Sequence, residues 1–288
     1  MSDILTSTNC ASIHVLHAGN ISALMKTLTE EFQRQNEGVN VTREKGGSVE
    51  LVKKASTQNA YADVVAIADY HNIHDFLYGK YADWYGEFAT TSMVLAYTAN
   101  SRYSNTITSD NWHQILSTPG VRIMGGDPDV DPGVYRRIMI EKLAEKFYEL
   151  PGLAKKIESN VLAPEKGSHA IPLAKSGQID YMFMYKPAVI AHGLKYLELP
   201  QQVNLSDGHY KDLYQSVDVL SSGVRVKGDV ITYGITTLKN SMHPDLALSF
   251  VALLLSPVGT KVIEDNGFIT VKPFKAIGSI PPVLKKFC

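Results

Sequence analysis

The sequence has little of what characterises several large classes of protein. It contains only two cysteines, Cys10 and Cys288, in 288 residues, too few for a disulfide framework or for a structural zinc site without histidine ligands. The longest apolar run, residues 246–255, is too short to span a bilayer. The formal net charge is −1, so the basic footprint of a nucleic-acid-binding protein is missing. We therefore expect buried or free thiols, with a Cys10–Cys288 disulfide as the alternative, no transmembrane segment and no nucleic-acid partner.

The composition that remains is typical of a globular protein. Hydrophobic residues make up 44% and charged residues 20% of the chain, and this length allows one or two domains with a large core. Residues 1–11 lack the basic start and apolar stretch of a signal peptide. No heptad pattern demands an oligomer, so we expect a monomer.

The first part of the chain alternates strand and helix patterns. Strands are predicted at residues 12–17 and 39–44, each followed by a helical pattern, the second of which begins at Ser48. The apolar run at residues 62–69 has the composition of a buried parallel strand. This β-α-β-α-β order is typical of an α/β layer fold with right-handed crossovers.

Two segments are predicted to be loops, and a third is predicted to lie on the surface. Residues 69–74 are polar and form the first, the aromatic segment 81–88 packs as a loop against the core, and a proline-rich tail runs over the surface from residue 272. His71 and His74 are three residues apart, but a loop gives them no common face, so we expect no metal site there.

Four predicted helix starts carry residues that suit an anion. They lie at Asn20, Ser48, Asp131 to Gly133 and Gly167 to Ser168, and each follows a strand. Free N–H groups and the positive end of the helix dipole point to the same spot. Ordinary capping explains each start taken alone. Taken together, they predict oxyanion binding by amides and hydroxyls, with no need for lysine or arginine.

Two long strand patterns, at residues 92–98 and 229–238, are suited to crossing between lobes. We therefore expect a discontinuous lobe 1 made of residues 1–92 and 229–288, and a lobe 2 made of residues 93–228. Because the helix starts are divided between the two, the sequence predicts two α/β lobes with a ligand cleft between them.

A hydrolase is the alternative from a different class. The run Gly46-Gly47-Ser48-Val49-Glu50 resembles the G-x-S-x-G nucleophile elbow but lacks its last glycine. Ser168 with a histidine is a second possible nucleophile. No P-loop or G-x-G-x-x-G motif is present, and we expect no enzyme activity.

Six short motifs together resemble the molybdate/tungstate-binding proteins of ABC importers, and most closely the archaeal-type branch. In chain order they are His17-Ala18-Gly19-Asn20, Gly47-Ser48-Val49, Ala68-Asp69-Tyr70, Tyr81-Ala82-Asp83-Trp84-Tyr85, Asp131-Pro132-Gly133-Val134-Tyr135-Arg136 and Ser176-Gly177-Gln178-Ile179-Asp180-Tyr181. The resemblance runs from about residue 17 to about residue 268. It implies a two-lobed, type II periplasmic-binding-protein fold, in which each lobe is a mixed, mostly parallel sheet flanked by helices.

The resemblance also implies a set of binding residues. Asn20 and Ser48 fall where side chains contact the oxyanion, Gly133 and Gly167 where backbone amides do, and Tyr185 where a hydroxyl does.

Two further positions concern the metal atom of the oxyanion. Asp131 matches a carboxylate that, in the archaeal-type branch, approaches tungsten or molybdenum itself and expands its coordination toward six. Gln178 stands where the family pattern G-E-I-D-Y has a partner carboxylate. A neutral amide can donate to an oxo group, so ordinary tetrahedral binding stays open.

The implied function is the capture of tungstate or molybdate, by hinge closure of the lobes, and delivery to a membrane permease. The ligand is then the only small molecule, with no cofactor. The location is periplasmic or extracellular, at the membrane through the transporter, with any leader outside this sequence. Another tetrahedral oxyanion such as sulfate is the nearest alternative ligand, and a sensory or cytoplasmic storage role is an alternative use of the same fold.

Overall fold

The computed structural model describes residues 11–57, 61–129, 131–163, 170–221 and 223–288. The chain divides into two compact units. Unit 1 runs to Thr90 and resumes with Thr232–Cys288, and unit 2 is Thr91–Ile231.

Each unit is built on one main sheet. The strands among the described residues are β1 (Ser12–Ala18), β2 (Asn40–Gly46), β3 (Val64–Ala68), β4 (Trp84–Thr91), β5 (Met93–Tyr97), β6 (Ile123–Met124), β7 (Val161–Leu162), β8 (Tyr181–Tyr185), β9 (Lys195–Glu198), β10 (Asp218–Ser221), β11 (Val224–Lys227), β12 (Ile231–Thr237) and β13 (Ile269–Gly278).

Helices cover the sheets. The α-helices are α1 (Ser22–Gln35), α2 (Ser48–Ala55), α3 (His71–Phe76), α4 (Trp112–Leu116), α5 (Pro132–Phe147), α6 (Leu153–Glu158), α7 (Ala170–Lys175), α8 (Lys186–Ala191), α9 (Lys211–Tyr214), α10 (Pro244–Leu255) and α11 (Pro257–Asp265). Short 3₁₀ turns lie at Gly19–Ile21, Gly208–Tyr210 and Pro282–Phe287.

The sheet of unit 1 has the strand order β13-β4-β12-β3-β1-β2. β1 pairs in parallel with β2 and β3, whereas β12 runs antiparallel to β3. Helix α1 buries Leu24, Leu28 and Phe32, and the Phe32 ring meets that of Phe250 on α10 edge-on, with the ring centroids 5.3 Å apart. The regular spacing of these apolar side chains is what makes the helix amphipathic and fixes the face it buries.

The sheet of unit 2 has the order β7-β6-β8-β5-β9. β6 is parallel to β7 and β8, and β5 is antiparallel to β8 and β9. Strands β10 and β11 form a separate antiparallel pair. Helix α5 buries Met139, Ile140 and Leu143. The parallel strands are joined through helices, as parallel connections require.

The two segments predicted as loops contain regular structure, so these two predictions were wrong. Residues 71–76 form α3, which is too short for periodicity to reveal it, and the aromatic segment forms β4, whose mostly buried residues hide the alternation of a half-exposed strand. The tail forms the edge strand β13, antiparallel to β4. Its register shifts between Thr270 and Lys275, and this irregularity accommodates Pro273.

Within the described residues, no single helix is both long and apolar enough to cross a membrane. Helices α10 and α11 meet the length and composition criteria only as a pair, and they are bent by 63°. Phe250, Val251 and Leu254 of α10 are buried in the protein.

A buried carboxylate fastens the start of β8. Asp180 is fully buried and accepts hydrogen bonds from the Arg122 backbone N–H, Nε and Nη2 at 2.9, 3.0 and 2.9 Å, and from the Arg102 N–H at 3.1 Å. Burial alone would raise the pKa of Asp180, but these hydrogen bonds outweigh burial and hold the pKa below its ordinary value of 3.8. The ionised carboxylate therefore stabilises the fold at neutral pH, and this contribution is lost as the pH falls through the depressed pKa.

We predict that Asp180→Asn lowers the free energy of unfolding at pH 7 by about 3 kcal/mol, because breaking one side of a buried ion pair leaves the other charge uncompensated. The difference from the unsubstituted protein should begin to shrink below pH 3.8, the ordinary pKa of the carboxyl, and should be lost as the pH falls through the depressed pKa of the folded state. Urea unfolding followed by circular dichroism at several pH values measures both effects. Asp218→Asn, which removes an exposed partner of Arg225, is the control and should cost less than about 1 kcal/mol. Equal stability of Asp180→Asn and the unsubstituted protein at pH 7 would contradict this assignment.

Candidate functional site

Parallel pairing in unit 1 brings two predicted site residues to one sheet edge. Ala18 at the end of β1 is in register with Gly46 at the end of β2. Asn20 and Ser48 each lie two residues beyond these positions, Asn20 in a 3₁₀ turn and Ser48 as the first residue of α2. Since neighbouring strands are about 4.8 Å apart, both side chains belong to the same edge.

Asn20 is tied to β12 in a way that leaves hydrogen-bonding capacity. Its Nδ2 lies 2.9 Å from Tyr233 Oη, and its Oδ1 is buried without a partner among the described residues. The two ends of an asparagine amide have the same shape. If the amide is flipped so that Oδ1 and Nδ2 exchange places, Oδ1 accepts the Tyr233 proton. The two N–H donors of Nδ2 then lie where the unpartnered oxygen now lies. Donors of this kind suit an oxyanion.

In unit 2, Asp131 caps helix α5. Its Oδ1 accepts from the Gly133 N–H at 2.7 Å, and Pro132 occupies the first helical position, where its missing N–H costs nothing. The Gly133 amide, predicted to contact an anion, is therefore already engaged by Asp131. An anion at this helix start must share that N–H with the cap.

A cavity of about 200 Å³ lies beside this cap, at the carboxyl ends of β6 and β8. Asp131, Gly133 and Tyr185 all line it, so unit 2 brings together three of the predicted site residues. The other lining residues are Met124, Gly125, Val134, Arg137, Ala170, Met182, Phe183, Met184 and Ala188. The wall is mainly apolar, with few polar groups, as is usual for small-ligand sites.

Tyr185 ends β8 and presents its hydroxyl beside an arginine. Arg136 Nη1 donates a hydrogen bond to Tyr185 Oη, and the guanidinium carbon lies 5.4 Å from the centroid of the Tyr185 ring. Burial raises the pKa of Tyr185, and the positive charge of Arg136 only partly offsets this. The phenol therefore keeps its proton at neutral pH and can donate it to a ligand.

A second arginine forms part of the cavity wall. Arg137 is buried, and its Nη1 lies 2.5 Å from Glu141 Oε1 and 2.6 Å from Glu158 Oε2. Burial raises the pKa of Glu141 to about 8, although Arg137 opposes the shift. Sequence reasoning missed both Arg136 and Arg137, since it expected no cation. The i,i+4 pair of Arg137 with Glu141 was the available signal.

Among the described residues of unit 2, the predicted site residue Gln178 does not line the cavity. Gln178 is exposed, its N–H donates to the Leu173 carbonyl oxygen at 2.9 Å, and it precedes the start of β8, whereas Tyr185 is at the end. At roughly 3.3 Å per residue, β8 alone separates the two by about 13 Å. Gly167, and Ser168 of the hydrolase alternative, lie outside the described residues.

The family model of bacterial extracellular solute-binding proteins matches residues 13–269 of this chain. The chain belongs to this family. An uncharacterised solute-binding protein of Petrotoga mobilis is 35% identical, with 91% of this chain and 84% of that protein covered. The molybdate/tungstate-binding protein WtpA of Pyrococcus abyssi is 33% identical, with 97% and 90% covered. The expected family is thus confirmed.

Among solved structures, the periplasmic molybdate-binding protein of Azotobacter vinelandii has a TM-score of 0.61 at 16% identity, with 89% of this chain and 98% of that chain covered. This likeness confirms the predicted two-lobed periplasmic-binding-protein fold. An extracellular solute-binding family also agrees with the expected extracytoplasmic location, and it favours binding and transport over hydrolysis.

We predict that Gly125→Ala destabilises unit 2, because Gly125 lies where β6 and β7 come close at the cavity wall. A Cβ atom there would lie 2.3 Å from the Leu162 carbonyl oxygen and 2.8 Å from Val161 Cγ1. Backbone cannot yield as a flexible side chain can, so we expect a loss of about 1–3 kcal/mol in the free energy of unfolding. Gly208→Ala is the matched control, since a Cβ atom there meets nothing within 4 Å. Similar stability of both variants in urea unfolding would contradict the prediction.

Proposed function

We propose that this protein binds tungstate or molybdate outside the cytoplasm and delivers it to the membrane permease of an ABC importer. The observation that carries the proposal is the cavity at the start of α5, where the Tyr185 hydroxyl and the Asp131–Gly133 cap lie together. The 33% identity to a molybdate/tungstate-binding protein over almost the whole chain supports the choice of ligand.

The proposed donors are uncharged. Asn20, Ser48 and Tyr185 donate from their side chains, and the amides of Gly133 and Gly167 contribute as implied by the resemblance. Fixed N–H and O–H donors can bind a dianion without a neutralising counter-ion. Gln178 has no part in this proposal, because it lies at the other end of β8.

Asp131 is proposed to act first as the helix cap. It is the only carboxylate among the described residues that line the cavity. A single exposed carboxylate already bonded to Gly133 favours an oxyanion that stays tetrahedral over one whose metal gains two carboxylate ligands.

This arrangement makes sulfate the second candidate ligand. Hydroxyls and amides recognise the shape, size and charge of a tetrahedral dianion, so the smaller sulfate can use the same donors with a poorer fit. The remaining proposals concern the protein as a whole: it works as a monomer, needs no cofactor, and associates with the membrane through the permease.

We predict saturable binding of tungstate and molybdate to the purified, anion-stripped protein in isothermal titration. Sulfate should bind more weakly because it is smaller than tungstate, and phosphate least, because phosphate at neutral pH is partly protonated and carries less average negative charge. The control is the Gln178→Ala variant, whose affinity should equal that of the unsubstituted protein because the residue is remote from the cavity. Silence toward all four anions would contradict the proposed function.

We predict that Asp131→Asn raises tungstate affinity about 30-fold, because a carboxylate and a dianion about 4 Å apart in water repel by about 2 kcal/mol. Asparagine keeps the cap, so the stability of α5 should be retained. Titration of both proteins at low ionic strength measures the change. A loss of affinity of tenfold or more would instead show that Asp131 binds the metal atom directly.

A further inference from the structure

Arg136 has no role in the binding set derived above, yet it makes a direct contact with that set. It lies in the first turns of α5, five residues after the cap Asp131, and reaches across to the end of β8. There its Nη1 donates to Tyr185 Oη. Its guanidinium carbon lies 5.4 Å from the Tyr185 ring centroid and 5.5 Å from that of Tyr135.

The chemistry of this contact fixes the direction of the Tyr185 proton. A phenol has one O–H donor and can also accept, whereas a guanidinium has donors only. Tyr185 therefore accepts from Arg136 and cannot return its own proton to it. Since Tyr185 lines the cavity, its O–H remains available to a ligand there.

The charge of Arg136 acts in the same sense. A hydrogen bond from a cation is stronger than one from a neutral donor and polarises the hydroxyl that accepts it. An arginine here would thus assist a dianion without touching it.

We propose that Arg136 is a positioning residue for oxyanion binding, holding the Tyr185 hydroxyl as a donor directed into the cavity. This inference rests on the proposed function and deepens it. It names the group that makes the Tyr185 hydroxyl, which could donate or accept, a hydrogen-bond donor to the ligand.

A merely structural role makes a different prediction. If Arg136 only packs α5 against β8, its replacement lowers stability and affects every ligand-binding variant equally. If it directs the Tyr185 proton, its effect on affinity disappears once that hydroxyl is gone. A double-mutant cycle separates the two.

The experiment measures tungstate and molybdate affinity by isothermal titration for the unsubstituted protein, Arg136→Gln, Tyr185→Phe and the double variant. Glutamine can accept a hydrogen bond, so it can capture the Tyr185 proton. We expect Arg136→Gln to weaken binding about 10-fold, the usual scale for losing one charge-assisted hydrogen bond. In the Tyr185→Phe background the same change should weaken binding less than about 2-fold.

Two further variants test whether a loss of affinity comes from misfolding. Arg136→Lys keeps a donor-only cation and should retain most of the affinity, whereas a packing defect would not be rescued by it. Arg225→Gln removes an exposed arginine of the same unit, paired with Asp218, and should bind like the unsubstituted protein. Thermal unfolding of each variant confirms that it is folded.

Equal fold-losses in the two backgrounds, or no loss in Arg136→Gln, would overturn the inference while leaving the proposed function intact. If the unsubstituted protein binds neither tungstate nor molybdate, both the inference on Arg136 and the proposed function are overturned. This result is known before any variant is compared.

Discussion

Parallel strand pairing is the constraint on which the rest of this structure depends. Parallel strands end at the same sheet edge, so the segments that follow them begin side by side. In unit 1 this brings Asn20 and Ser48 together beyond β1 and β2. In unit 2 the parallel pairing of β6 with β8 places Gly125 and Tyr185 at one cavity. Strand direction thus decides which of these residues lie at one sheet edge, and side-chain chemistry decides what they can bind there.

The charges of unit 2 are arranged so that few of them face the cavity without a partner. Asp180 is surrounded by donors from Arg122 and Arg102 and holds the start of β8. Arg137 is paired with Glu141 and Glu158 inside the wall, which limits the cost of burying it. A small dianion then meets neutral donors and helix starts, where binding does not require a matching ion pair.

Short motifs predicted local structure correctly, but they did not predict which residues lie close together in the fold. The sequence from Asp131 to Arg136 predicted a capped helix start, and the structure has that cap. Gln178 was placed by the motif around it, yet β8 separates it from Tyr185, because a strand carries its two ends to opposite edges of a sheet. The segments that form α3 and β4 were wrongly predicted as loops, because α3 is too short to show a period and most residues of β4 are buried.

The sequence by itself determined the α/β class, most strands and helices of unit 1, the Asp131 cap of α5 and the family, because these depend on composition, periodicity and short motifs. Tertiary structure alone decided which residues share the cavity, that the Gly133 amide is engaged by Asp131, and that Arg136 meets Tyr185. Arg136 and Tyr185 are 49 residues apart. Their contact depends on the packing of α5 against β8, which no local pattern encodes.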